Sequence, residues 1–577
     1  MTLIPPGEKI IETKKCRISG QEFFVTNKDL EFLDKVSPIF WGKKYSLPTL
    51  NISPLEMRKT LLSFRNQNRL YKRKCSKTGK EIIAMFSAEV PFPVYDKTLW
   101  YSDEWNPLEY GRGIDFDKSF FEQWWQLNAI VPRSWNSKHH DVNSVYSNNC
   151  AYIKDCYLCF NGLYNENCLY CQIWDYSKNC IDCECIFECE NCYTLSLSKK
   201  CYNCWYSHEL TNCTDCILCY DCIGCTNCIG CYNLRNKSNY LFNQLSTPEA
   251  IKEYLKKHSN SLLSLTSLKK VIPQGIHKYA STVQSEGCLW DEFQSSKNCF
   301  DSYYMMGSED CAHCDHGKEQ KDCQYITNGM KNLENAYCSL TVGINASNMA
   351  FAINSTENVS DILYSAYVFF GVKNCFGCIG LHNHEHHCIF NKSYSVQEYE
   401  TLCGKIIEHM QSTGEWWQFF PRQLSAFEYN ESLAHEYFPL SQDEAERWGW
   451  RWRTEETIAF NGNIYTPLSI AQYDERIVWF DTATKNITEA LAWTIQCEIT
   501  KKPFKLVSQE LAFYIENNLP LPTKHPDQRH KERLSLRNGR TLHERTCTDC
   551  KKPIISTYAP NTPERVVCDE CYQKLIY

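Results

Sequence analysis

The sequence predicts a mainly β chain, a cysteine-rich β-solenoid in two blocks flanked by duplicated small α+β modules. Three observations predict it. Polar turns bearing one cysteine recur at twelve-residue intervals through the middle, the two middle blocks resemble each other, and so do the two ends of the chain.

The intervals come first. Cys168 to Cys180, Cys180 to Cys192, Cys201 to Cys213, Cys299 to Cys311 and Cys311 to Cys323 all span twelve residues. Cues such as NENC (165–168), SKNC (177–180) and LTNC (210–213) precede them, and strand-type stretches such as LYCQIWDY and CWYSHEL lie between. A short fixed period with Asn, Asp, Lys and Ser corners is what a stacked β-coil requires. Twelve residues make one small coil or half of a larger one. The second observation is that CIGCYNLRNKSNYLFN (228–243) matches CFGCIGLHNHEHHCIFN (375–391) with one residue inserted. A helix start follows each copy. Thr247 precedes Pro248 at a first helical position, and Ser395 with Glu398 forms a capping box. These helices are expected to cover exposed sheet ends.

Of 36 cysteines, nineteen lie between Cys150 and Cys231 and ten between Cys288 and Cys403. From Cys213 to Cys231 every third residue is cysteine. A protonated thiol is small, apolar and commonly buried. The preferred reading is therefore an inward ladder of wall material, ahead of metal clusters built from adjacent coils and of disulfides. The start MTLIPPGEKIIETKK has no apolar core of a signal peptide, and no apolar run approaches the ~18 residues of a membrane span. The expectation is a reducing, cytoplasmic setting with no membrane partner.

The third observation joins the ends. Residues 16–33, CRISGQEFFVTNKDLEFL, match 497–514, CEITKKPFKLVSQELAFY, and residues 65–86 match 537–558, with Cys75 on Cys547. The C-terminal copy carries Cys547-x-x-Cys550, seventeen residues, then Cys568-x-x-Cys571. Two such pairs on tight turns close a tetrahedral Zn²⁺ site, with IISTY (554–558) and RVV (565–567) as hairpin strands. Four protein ligands leave no open position, so the zinc is structural. The N-terminal copy has Thr78, Asp96 and Leu99 at the other three corners and should hold none.

Cys497 with Thr500, followed by ELAFY and HPDQR, resembles zinc-ribbon domains patterned CxxC…E…FY…CxxCR. Thr500, His525 and Gln528 replace three ligands, so this half-site is also expected to be empty of metal. The chain as a whole is similar to cysteine-rich proteins of candidate-phyla bacteria with terminal zinc-ribbon domains. That resemblance implies a fold and a zinc ion, and no activity.

Two further tracts carry chemistry. Cys375, Cys378, His382, His384, His386, His387 and Cys388 are dense enough for a second metal site, against a plain surface loop. Lys524, Arg529, Lys531, Arg533, Arg537, Arg540 and Arg545 stand against only Asp527, Glu532 and Glu544. The balance of about +4 suits a nucleic-acid backbone, against a solvated helix face. The chain's net charge of −7 would confine such binding to this end. Phe120, Phe121, Trp124 and Trp125 sit at helical spacing and read as core, and Ser441 with Glu444 reads as a capping box before a Gly449 stop.

The domain reading is a degenerate ribbon-like module (1–100), a connector (101–145), solenoid block one with its helix (146–260), block two with its helix (280–411), an α+β connector (412–490) and a zinc-ribbon module (491–577). No HExxH, GxSxG, phosphate-binding or dinucleotide-binding glycine motif occurs. The leading functional expectation is a zinc-containing scaffold or adaptor with ribbon docking ends. A nucleic-acid-binding protein comes second and a carbohydrate-active solenoid enzyme third, and the partner is a protein or a nucleic acid.

Overall fold

A computed structural model describes residues 4, 7–454, 464–465, 491–517, 519 and 521–577. The chain divides into two compact units, Met1–Asn136 with Ala280–Thr454, and Ser137–Tyr279 with Glu455–Tyr577. Each unit thus joins one terminal module to the solenoid block that lies farther from it along the chain.

In the second unit an eleven-stranded sheet runs from Lys138–His139 to Gln244–Leu245. Strands pair in parallel at a twelve-residue offset, as in Phe160↔Gln172, Gln172↔Glu184 and Thr214↔Thr226. Twelve residues are therefore one coil. A left-handed residue recurs every third position, as at Asn167, Tyr170, Ile173 and Tyr176, whose φ values are 53, 56, 52 and 51°. Each coil is thus a square of four three-residue sides, and the residue just after each corner residue points inward. This geometry answers why cysteine recurs every third residue. One coil turns Cys168, Cys171, Trp174 and Ser177 inward, and the next turns Cys180, Cys183, Ile186 and Cys189, all buried.

Left-handed backbone is unfavourable for most L-residues and least so for Asn and Asp. One corner is accordingly an amide ladder, in which Asn191 Nδ2 donates to Asn203 Oδ1 (3.0 Å) and Asn203 Nδ2 to Asp215 Oδ1 (2.6 Å). Backbone N–H groups bond alternately to the coil above and the coil below, as in Glu166 N to Ser177 O (3.1 Å) and Asn167 N to Lys154 O (3.0 Å). The thiols act as weak donors to carbonyls. Cys180 Sγ, for example, lies 3.3 Å from Lys178 O and 3.5 Å from Cys189 O.

The second block, in the first unit, starts on the same plan and then widens. Cys311 pairs with Cys323 at twelve residues, whereas Gln320↔Leu333, Leu333↔Ala346 and Lys373↔His386 are thirteen apart. The added residue sits at one corner, where two successive residues are left-handed: Ile344 and Asn345, Glu357 and Asn358, Asn383 and His384. This accounts for the residue inserted between the matching stretches at 228–243 and 375–391. The wider coil encloses Val342, Met349, Ile362 and Val368 along with Cys375, Cys378 and Cys388, and the narrower one mostly cysteine with a few larger residues such as Trp174, Ile186 and Leu195.

Helices Pro248–Leu262 and Val396–Thr413 follow the last coils. The expected caps form: Thr247 Oγ1 accepts from Ala250 N (3.2 Å), and Ser395 and Glu398 make a capping box. Ser441 and Glu444 do likewise. Of the 412–490 connector, residues 455–463 and 466–490 lie outside the described residues.

Each terminal module contains the same motif twice, a hairpin whose tight turn begins with cysteine, followed downstream by a helix. The hairpins are Ile10–Lys15 with Glu22–Thr26, Tyr71–Lys74 with Glu81–Ala84, Thr494–Gln496 with Pro503–Phe504, and His543–Thr546 with Pro553–Ser556. The hairpin expected between IISTY and RVV does not form. The cysteine turn folds Pro553–Ser556 back onto the strand before it, and Arg565–Val567 instead pairs in parallel with Ile276–Lys278.

In the first unit an aromatic core holds the module to the solenoid. Phe120 meets Phe376 and Phe390 (5.5 and 5.2 Å between ring centres), and Trp100 meets Phe369 (5.6 Å). Phe120, Phe121 and Trp124 are buried on helix Phe120–Asn128 and Trp125 is partly buried.

Candidate metal centre

Cysteine turns in all four hairpins share one hydrogen-bond pattern. Cys547 N donates to Lys552 O (2.9 Å) and Lys551 N to Cys547 O (3.1 Å); Cys16, Cys75 and Cys497 repeat both bonds at 2.8–3.0 Å. The fifth residue of each turn is left-handed: Gly20, Gly79, Lys501 and Lys551. The turn folds the first sulfur under the N–H groups that follow it. A helix begins opposite each turn, capped by Ser53, Asp96, His525 or Cys568.

Only the last copy places sulfur at every corner. The Sγ atoms of Cys547, Cys550, Cys568 and Cys571 all lie within 4.8 Å of one another, and Cys550 Sγ is 3.6 Å from Cys568 Sγ. A tetrahedral shell with Zn–S of about 2.3 Å needs sulfurs about 3.8 Å apart, so a donor set drawn within 4.8 Å fits a zinc-sized ion. Among the described residues this is the one group of three or more Cys, His, Asp or Glu side chains drawn together in this way. Burial raises the Cys547 thiol pKa, but N–H groups of Cys568, Cys550 and Asp549 outweigh it and lower the value; Cys568 N lies 3.3 Å from the sulfur. Outside the sulfurs, Arg565 grips Asp549 through Nη2 at 2.8 and 2.9 Å and fixes the first turn to the strand before Cys568.

The other three copies keep the first cysteine and replace the rest, by Ser19, Ser53 and Glu56, by Thr78, Asp96 and Leu99, and by Thr500, His525 and Gln528. Each lone sulfur still receives the N–H of the helix-capping residue, Asp96 N at 3.3 Å for Cys75. Burial pushes these thiols up, and the hydroxyl of Ser19, Thr78 or Thr500 with those N–H groups brings them below the ordinary range. His525 Nδ1 accepts from Asp527 N (3.1 Å), so it serves as a helix cap. These turns thus keep their sulfur-cradling amides without a metal-ligand set.

The histidine-rich tract is divided by the coil. Cys375, Cys378 and Cys388 point inward. His382 is buried between Trp100 and Trp105 (5.2 and 5.3 Å), with Nδ1 3.0 Å from Gly380 O. His384 sits at a left-handed corner, His386 is exposed, and His387 packs on Tyr399 (5.5 Å). The structure does not bring these seven residues together, because the wall of the coil stands between thiols and imidazoles.

The basic run has a different fate from a solvent-facing patch. Helix Pro526–Leu534 lies on the wall of the first solenoid block. Arg529 reaches Asp182 and Glu510 (3.1 Å), Arg533 reaches Asp182 (2.7 Å) and Arg537 reaches Glu184 (3.2 Å). Arg529 also stacks over Tyr170, 4.5 Å from the ring centre. Lys524 pairs with Glu532 (2.9 Å), Arg540 is buried, and Arg545 donates to Ala559 O (3.2 Å). Lys531 is exposed. Sequence reasoning missed the receiving carboxylates. For Asp182 a signal is present, since it is the one charged residue at a corner otherwise held by Leu158, Tyr170, Thr194, Tyr206 and Leu218.

One outer corner of the same block carries stacked aromatic rings, His140, Tyr152, Tyr164 and Tyr176, 4.6–5.0 Å apart. The carboxylate beside them, Glu166, is held by Lys154 (3.1 Å) and Lys178 (3.5 Å). No helix among the described residues is long and apolar enough to cross a membrane.

No protein-family model, no curated protein and no solved structure matches the chain.

Proposed function

We propose that the protein is a zinc-containing scaffold, two solenoid-based bodies that present rigid surfaces to a protein partner in a reducing compartment such as the cytoplasm. The observation that carries this reading is the closed set of four thiols at Cys547, Cys550, Cys568 and Cys571. Four soft sulfur donors at tetrahedral spacing favour zinc, and such a shell has no vacant position at which a water or substrate would be activated. The ion is therefore assigned to holding the hairpin and helix Asp569–Ile576 in place. A nucleic-acid partner is the weaker reading, because Arg529, Arg533 and Arg537 already neutralise carboxylates of their own unit.

Elemental analysis of the full chain tests the metal, with one zinc per chain expected. Retention on immobilised RNA or DNA tests the partner class. Tight binding that falls by orders of magnitude between about 50 and 200 mM salt would overturn the scaffold reading in favour of a nucleic-acid-binding protein.

A further inference from the structure

The two terminal modules place one arginine at the same position and give it opposite surroundings. Asn66 Nδ2 donates to Met85 O (2.8 Å) and Asn538 Nδ2 to Thr557 Oγ1 (3.0 Å), so Arg65-Asn66 and Arg537-Asn538 stand alike against the hairpins that follow them. Both arginines lie just beyond the ends of matching helices, Pro54–Ser63 and Pro526–Leu534. Arg537 holds the Glu184 carboxylate of the solenoid wall at 3.2 Å. Arg65 is only 3% exposed, yet its Nε, Nη1 and Nη2 all lack a hydrogen-bond partner.

The other buried arginines of that unit are engaged. Arg58 pairs with Asp301 (3.1 Å), Arg422 pairs with Glu56 (3.0 Å), and Arg133 donates to Val131 O (2.8 Å) and Asn128 Oδ1 (2.5 Å). Glu436 acts on Arg65 through space, while its own Oε2 accepts from Asn68 Nδ2 (2.7 Å). The Arg65 carbonyl accepts from Leu433 N (2.8 Å), which fixes the backbone beneath the guanidinium. Burial lowers the pKa of Arg65 only to about 10, so it stays protonated at neutral pH. A buried guanidinium with no hydrogen-bonded counter-charge is unfavourable, and its planar fork matches two oxygens of one carboxylate.

We propose that Arg65 is the floor of a binding site for a small carboxylate, gripped as Arg537 grips Glu184. The test uses the full chain and its Arg65→Gln variant, melted in chloride buffer and with formate or acetate added at constant ionic strength. A saturable rise of about 2 °C is expected in the unaltered protein and none in the variant. In chloride alone Arg65→Gln should melt no lower than the unaltered protein, because it removes an unpaired buried charge. Equal shifts in both proteins, or an Arg65→Gln protein that melts well below its parent or fails to fold in chloride, would overturn the proposal. Equilibrium dialysis of labelled formate against the unaltered chain supplies a measurement free of any variant. One saturable site that acetate displaces supports the proposal, whereas no saturable site, or displacement by phosphate but not by acetate, overturns it.

Discussion

Arg533 Nη1 lies 2.7 Å from Asp182 Oδ1, with side chains only 2% and 1% exposed, and this contact fastens the C-terminal module to the wall of the first solenoid block. Asp182 also receives Arg529, so one carboxylate serves two guanidinium groups. Removing a single partner of a buried pair leaves an uncompensated charge, which typically costs about 3–5 kcal/mol. Asp182→Ala should therefore destabilise the protein by that order in urea melts. Asp182→Leu combined with Arg529→Met, Arg533→Leu and Glu510→Gln should recover much of the loss, the last change being needed because Arg529 also neutralises Glu510. If Asp182→Ala stays within about 0.5 kcal/mol of the parent, the usual reach of a surface substitution, the contact does not hold the module.

Cys568→Ser should lose the zinc proposed for this site and loosen helix Asp569–Ile576, whose Tyr572 and the following Tyr577 reach Asp221 and Arg235 of the solenoid. Cys75→Ser should release no metal, because Thr78, Asp96 and Leu99 stand at the other corners around that sulfur. Zinc measured after gel filtration of both variants decides the point, and equal loss from the two would contradict it.

The local packing inside each coil predicts how core substitutions behave. Cys216 lies inside a twelve-residue coil and Val342 inside a thirteen-residue one. Cys216→Leu should cost about 1–3 kcal/mol by overpacking, while Val342→Cys should cost about 1 kcal/mol. Gly162→Ala should be severe, since an added Cβ would sit 2.0 Å from Trp174 Cε3. Denaturant melts measure all three, and a Cys216→Leu protein as stable as its parent would refute tight packing around Cys216, which is ringed by other inward cysteines.

His277 gives the second unit a pH dependence. Tyr220 Oη and Tyr558 Oη lie 2.7 and 3.0 Å from its Nδ1, and Ile272 O lies 3.1 Å from its Nε2. Burial, helped by Arg545, depresses its pKa to about 4, against opposing pulls from Glu564 and the Ile272 carbonyl. The unfolded imidazole, near 6.5, binds a proton before the folded one does. Its contribution is thus fully present above about pH 6.5 and is lost as pH falls toward 4, with a limiting slope of about 1.4 kcal/mol per pH unit. His277→Gln should flatten the fall in stability between about pH 6.5 and 5, and an unchanged slope would remove His277 as its source.

Thiol reactivity follows from the same geometry. In the folded, chelated protein, alkylation should reach Cys550, Cys571 and Cys288, the thiols with solvent exposure, and spare the solenoid interior. Mass spectrometry after a short pulse reads the pattern, and rapid labelling of Cys216 or Cys219 would show that the coil is open.

The sequence by itself determined the repeat. Cysteines twelve residues apart, Asn and Asp at the turns, the capping residues Ser395 and Glu398 and the two Cys-x-x-Cys pairs are local chemistry, readable because each stabilises its own turn, coil or helix end. Only the tertiary structure decided that twelve residues close one square coil, since that depends on a left-handed corner at every third position. It also decided which way a charged or ligating side chain faces. Arg529 and Arg533 looked like a basic surface because Asp182, which receives both, lies far back along the chain. The sequence left His382 open as a metal ligand or a surface-loop residue, and Trp100 and Trp105, from much earlier in the chain, close over it. Charge partners and burial are long-range properties, and a one-dimensional pattern carries them only once the coil has stacked and the modules have docked.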